Sequence, residues 1–187
     1  IYTVTASFGT APNVCTDTFT IAVTVNPQPS IADVVQTICS GDTFTVTPTN
    51  TAPNVVPTGT TYTWTVTTPA GITGASNQAT AQTSISQTLT NTTSTSLSAI
   101  YTVTASVGTA PNICTDTFTI TVTVNPKPSI ADVTQAICTG NTFTVTPTNT
   151  APDVVPTGTT YTWTVAGPAG ITGASNQATA QTSISQT

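Results

Sequence analysis

The side chains able to do chemistry in this chain are few. Four cysteines stand at Cys15, Cys39, Cys114 and Cys138, and the six acids are all Asp: Asp17, Asp33, Asp42, Asp116, Asp132 and Asp153. Lys127 is the one basic residue, and the chain has no His, Arg, Glu or Met. A Ser or Cys nucleophile needs a neighbouring base, and neither His nor Glu is available to serve. Paired carboxylates for acid–base work would have to be Asp, and these are scattered over turn-like stretches. The cysteines lack any Cys-x-x-Cys spacing and have no His beside them, which argues against zinc. No Asp-x-Asp-x-Asp loop points to calcium. A weak calcium site at a junction, built from Asp33 or Asp132 with backbone carbonyls, is the residual metal candidate. These residues predict a chain that is not an enzyme, needs no cofactor and holds no dedicated metal site.

Charge narrows the partners further. Formal net charge is −5 and the sequence pI is near 4.1. Nucleic acid calls for clustered Lys and Arg, so no nucleic-acid footprint exists. A polybasic membrane patch is excluded for the same reason. No apolar run approaches the roughly 20 residues of a membrane-spanning helix, so no membrane insertion is expected.

The elements that must carry these residues repeat. IYTVTASFGTAPNVCTDTFTI at Ile1 returns as IYTVTASVGTAPNICTDTFTI at Ile100. Residues 1–88 and 100–187 differ at only 11 of 88 positions, all mildly, as in Phe8/Val107, Val14/Ile113, Asp42/Asn141 and Asn54/Asp153. A module repeated so closely builds length or multivalency, whereas an active site needs one pocket. Thr makes up roughly one residue in four. Thr and Val suit a pleated surface, and their ordered alternation argues against a disordered tract.

Strict alternation marks half-buried strands. Tyr2, Val4 and Ala6 share one face. Phe19, Ile21, Val23 and Val25 alternate with Thr, as do Phe44 and Val46, and Tyr62, Trp64 and Val66. No segment has helical periodicity. Turn signals separate the runs at Gly9–Asn13, Ser40–Asp42, Pro48–Gly59 and Pro69–Gly74. The joints fall at Asn26-Pro27-Gln28-Pro29 and its copy Asn125-Pro126-Lys127-Pro128, because alternate prolines stiffen the chain and interrupt strand pairing. Residues 27–125 then form one complete module. Its strands are A (Ile31–Ile38), B (Thr43–Thr47), C (Thr60–Thr67), a weak D, E (Ala81–Thr90), F (Ile100–Ser106) and G (Thr117–Val124). Residues 1–26 supply strands F and G of a preceding module, and residues 126–187 supply strands A to E of a following one. Starting in mid-module, the chain reads as an internal segment. The fold class is all-β: tandem immunoglobulin/PKD-like β-sandwich modules.

PSIADVVQTICSGDTFTVTP, TTYTWTV and IYTVTASVGTAPNICTDTFTITVTVNPKP together resemble the PKD-like, Ig-fold modules of secreted surface adhesins of Bacteroidetes, including gliding-motility adhesins of the SprB kind. The most specific elements are the Cys-[Ser/Thr]-Gly turn before strand B, Tyr-Thr-Trp-Thr on strand C and the closing Thr-Val-Asn-Pro-x-Pro. The resemblance covers the whole chain. It implies a type IX-secreted filament or adhesin stalk on the bacterial cell surface, serving reach, stiffness and multivalent adhesion. Its partners would be neighbouring modules of the same polypeptide, laterally packed copies, and surface glycans or other cells.

On that frame each site residue has a bland and a sharp reading. Cys39 and Cys114 are the obvious pair within a module, yet the A–B turn and the F–G loop lie at opposite ends of an Ig sandwich. Alternatively Cys39 pairs with the counterpart of Cys114 in the next module, or the thiols stay free. Thr18, Thr43 and Thr117 follow Asp and precede Phe, which resembles a Bacteroidetes O-glycosylation signal; Asn141 breaks it in the fourth copy. Asn91-Thr92-Thr93 is a formal N-glycosylation sequon. Tyr62, Trp64, Tyr161 and Trp163 are read as core aromatics of strand C rather than sugar platforms. The Thr-x-Thr rows match an ice-binding pattern, but neutral strand-forming Thr accounts for them. Two other functions stay open: a carbohydrate-binding module array, which would need an exposed aromatic strip, and a filament polymerised by strand complementation, in which the F–G pair of one copy completes the A–E strands of another.

Overall fold

The computed structural model describes residues 1–167 and 169–187. The chain forms fifteen strands among these residues: β1 (Tyr2–Thr10), β2 (Asn13–Ile21), β3 (Val34–Cys39), β4 (Thr43–Val46), β5 (Thr61–Thr67), β6 (Ile72–Thr73), β7 (Gln78–Gln82), β8 (Ile85–Thr88), β9 (Thr90–Asn91), β10 (Leu97–Thr109), β11 (Asn112–Asn125), β12 (Phe143–Val145), β13 (Tyr161–Trp163), β14 (Gln177–Gln181) and β15 (Ile184–Gln186). The fold is all-β.

The whole module is a sandwich of a five-stranded sheet, ordered β3-β11-β10-β5-β7, and smaller antiparallel pairs β4-β8 and β6-β9. Alternation decides which side chains meet between the layers. Phe44 and Val46 of β4, Tyr62 and Trp64 of β5, Ala99 to Ala105 at every second residue of β10, and Phe118 to Val124 at every second residue of β11 are all buried. Ile85 and Leu89 close the other side, each fully buried. Phe44 tilts against Tyr101 with ring centroids 5.0 Å apart. Tyr62 meets Phe118 edge to face at 6.3 Å. Both arrangements suit the ring quadrupole. The core runs from Ile31 to Val124, so residues 27–125 contain all of their own strand partners and core.

The strand boundaries differ from the alternation pattern, strand A most simply: it begins at Val34 rather than Ile31. The stretch expected as one strand E divides into β7, which pairs with β5, and β8, which pairs with β4. Thr83 and Ser84 carry the chain between the layers, and alternation cannot register that switch because both halves keep period two. The expected F and G strands are longer, reaching the Thr109–Asn112 turn. There Gly108 adopts φ +104° and a Cβ would meet the Asn112 carbonyl, so a side chain at this site is strained.

The two flanks of the chain carry the same sequences without the same partners. β1 and β2 pair in the register of β10 and β11, yet with no third strand. Tyr2 is 63% exposed where its copy Tyr101 is 0%, and Phe19 is 49% exposed where Phe118 is 3%. β2 ends at Ile21, whereas β11 continues to Asn125 because β3 lies parallel to it from Ile120 onward. Residues 133–138, the copy of β3, are not a strand.

Candidate functional site at the module joint

The chain enters the whole module along a docked segment. Pro29 is buried, and Ser30 exchanges both backbone hydrogen bonds with Val55, at 2.9 and 2.8 Å. Gln28 Nε2 donates to the Thr115 carbonyl at 2.9 Å, and Ile31 N–H donates to Asp116 Oδ2 at 2.8 Å. Ala32 N–H donates to Asn54 Oδ1, and Asp33 Oδ1 accepts from Thr119 N–H at 2.7 Å. The prolines remove two donors and restrict φ, and the flanking side chains bind the remaining backbone groups. The entry direction is thereby held by hydrogen bonds.

The second joint repeats two contacts of this scheme. Ser129 pairs with Val154, and Ala131 N–H donates to Asp153 Oδ1 at 2.8 Å. Asp153 stands where the first copy has Asn54, and both offer the same Oδ1 acceptor, which accounts for the tolerance of that change. Pro126 is half-buried and Pro128 exposed. Across this joint Asn149 Nδ2 donates to Ser94 Oγ at 2.9 Å. The loop ahead of β13 thus touches the connector between β9 and β10. At the first joint a cleft of about 560 Å³ is lined by Asn26, Pro27, Asn50, Pro57, Val107 and Gly108.

The four cysteines are free thiols, with Cys114 half-buried and the others exposed. Cys39 lies beside Asn125 in the sheet, and Cys114 lies eleven residues back along β11. That is roughly 36 Å of extended strand, while a disulfide needs Cα atoms within about 7 Å. The alternative of a Cys39–Cys114 bond inside one module is therefore excluded by the sheet register.

At the calcium candidate, Asp33 Oδ1 accepts from the Thr119 N–H, and no group of three or more His, Cys, Asp or Glu side chains stands together among the described residues. The sequon asparagine is enclosed by the fold. Asn91 is 6% exposed; its Nδ2 donates to the Thr95 and Val124 carbonyls, and its Oδ1 accepts from Thr93. Thr18, Thr43 and Thr117 are all exposed, and the Thr43 hydroxyl shares a 2.6 Å bond with that of Thr88.

All five aromatics of residues 27–125 are buried, Trp64 at 6% exposure with its Nε1 donating to the Ser76 carbonyl at 3.1 Å. The exposed strip that sugar stacking would require is missing from the whole module. Tyr161 and Trp163 are half-buried, and Trp163 Nε1 meets no hydrogen-bond partner among the described residues. Burial pushes the Tyr101 phenol up to about 12 and raises that of Tyr62 as well. The outer face of the large sheet carries aligned Thr ranks, Thr65–Thr102–Thr119 and Thr63–Thr104–Thr117.

Sequence reasoning missed Asn54, Asp116, Gln28 and Asn91 as joint and cap residues. Their partners lie up to 87 positions away, and only a small polar residue beside each turn hinted at them.

A two-layer β-sandwich with its aromatics turned inward is the architecture of immunoglobulin-like domains. Residues 36–128 match the family model of the PKD-like domain, so this stretch, from β3 to the second joint, is similar to such domains. Theirs is a non-catalytic fold family. No match is found among curated proteins or solved structures.

Proposed function

We propose that the chain is a structural repeat segment of a long extracellular adhesin or filament on a bacterial cell surface, exported by type IX secretion. It supplies reach, stiffness and multivalent weak contact. One observation carries this reading: the linker is bound to the module it enters, through buried Pro29, Ser30–Val55 and the Asn54 acceptor at the first joint, and through Ser129–Val154 and the Asp153 acceptor at the second. A free tether would let modules swing, whereas a bonded entry repeats the same angle at every joint. Near-identical copies then add equal increments of length. The low charge leaves little like-charge repulsion to oppose lateral packing of stalks, and the Thr ranks offer hydroxyls to a neighbouring stalk or to surface glycans.

Antibodies raised to residues 27–125 test this on the organism that makes the protein. They are expected to label intact, unpermeabilised cells, in lines along thread-like projections under the electron microscope. Label that appears only after permeabilisation would sink the proposal.

A second reading has an observation of its own. The apolar face of the β1–β2 hairpin and that of residues 126–187 are both uncovered, and in residues 27–125 the same two sequences cover each other. Such a match is what strand complementation between copies would use.

A further inference from the structure

The two joints of this chain show opposite halves of one arrangement. At the second, Asn125 is the register partner of Cys39, and Ser40 N–H donates to its carbonyl at 2.8 Å. Cys39 thus stands beside the residue at which the chain leaves the module. At the first, the corresponding Asn26 lines the cleft that also holds Val107 and Gly108. Val107 is the register partner of Cys114. Gln28, two residues past Asn26, is bonded to Thr115, the residue after Cys114. Cys114 therefore stands beside the point at which the chain enters the module. Because Asn26 and Asn125 are the same position of the repeat, both descriptions apply to any joint between two whole modules. One Asn-Pro step then has the Cys39 of the module before it on one side and the Cys114 position of the module after it on the other.

We propose that these two cysteines form a disulfide across the joint, stapling each whole module to the next. The pairing inside a module is closed off by the strand length between them. Cys39 is exposed and Cys114 half-buried, so a disulfide oxidant can reach the first thiolate, and the second completes the exchange. The Sγ–Sγ bond forms as two S–H bonds break. The electron pair and both protons pass to the oxidant's disulfide, which leaves as two thiols. Such a bond would convert a hydrogen-bonded joint into a covalent one, so that load passes between modules without relying on the joint's weak contacts. Its occurrence in the cell rests on the extracellular reading, since oxidising compartments are where disulfides persist. The experiment does not.

Two copies of residues 27–125 joined head to tail are oxidised with oxidised glutathione, in parallel with one copy alone. In the tandem the free-thiol titre is expected to fall by half, and peptide mapping without reductant is expected to join Cys39 of the first copy to Cys114 of the second. The single copy keeps its full titre. C39S in the first copy abolishes the link, and C114S in the first copy leaves it intact. A single copy that closes its own loop overturns the proposal. So does a tandem that keeps its full thiol titre or joins any other pair.

Discussion

At the scale of single residues, buried aromatics set the chemistry of the module. Tyr101 is fully enclosed and its hydroxyl donates to Gln87 Oε1 at 2.9 Å. Burial disfavours the phenolate, lifting the group to about 12. Below the ordinary phenol range, near pH ~10, Tyr101 is neutral both folded and unfolded, so its contribution to stability is fully present and does not vary with pH. Above that range the unfolded chain gives up the proton while the folded one still holds it. Stability is lost as pH rises from there to about 12. Tyr62 acts in the same direction. The midpoint of thermal unfolding of residues 27–125 should therefore be flat through neutral pH and fall across the alkaline range. Tyr101→Phe should reduce the fall, and an unchanged alkaline slope in that variant would show that Tyr101 is not its source.

Among the elements, the connector between β9 and β10 depends on one side chain. Asn91 holds the Thr95 carbonyl and the Val124 carbonyl from its amide nitrogen, and Thr93 from its oxygen. It ties the connector to the last turns of β11, next to the joint. Asn91→Ala leaves the Val124 carbonyl without this donor inside the protein, at an expected cost of about 1–3 kcal/mol. Denaturant unfolding of residues 27–125 measures this, with the slope unchanged if only stability has moved. A loss of a few tenths would mean that water replaces the amide freely. The formal sequon at this position shows why a local motif misleads: the tripeptide is visible in sequence, but the fold has already consumed its acceptor nitrogen. The division of the expected strand E has a similar cause. Period two persists through residues 78–88, and the exchange of layers at Thr83–Ser84 has no signature of its own.

For the whole molecule, the two flanks present complementary faces. Tyr2, Phe19 and Ile21 are exposed at one end; Val133, Ile137 and Ile171 are exposed at the other. Exposed apolar faces of this kind drive association. The chain 1–187 is expected to associate head to tail, its β1–β2 hairpin seating on residues 126–187 of another copy, while residues 27–125 alone stay monomeric. Sedimentation velocity over a concentration series reads this directly. Removal of residues 1–26 should end the growth; continued growth in that variant would place the contact elsewhere, on the Thr face of the large sheet.

The sequence by itself determined the all-β class, the inward phase of Tyr62 and Trp64, and the repeat, because each depends on side chains adjacent in the chain and on a period of two. It also determined the hairpin, which forms in the same register at β1–β2 and β10–β11 with the same turn. Only the tertiary structure decided what those hairpins bury. One sequence leaves Tyr2 in solvent and closes Tyr101 away, because burial depends on which strands arrive from more than thirty residues distant, as β5 does at β10. The extension of β11 to Asn125, the docking of the linker and the separation of Cys39 from Cys114 follow from β3 lying parallel to β11. That contact joins residues some eighty-six positions apart, and no local pattern encodes it.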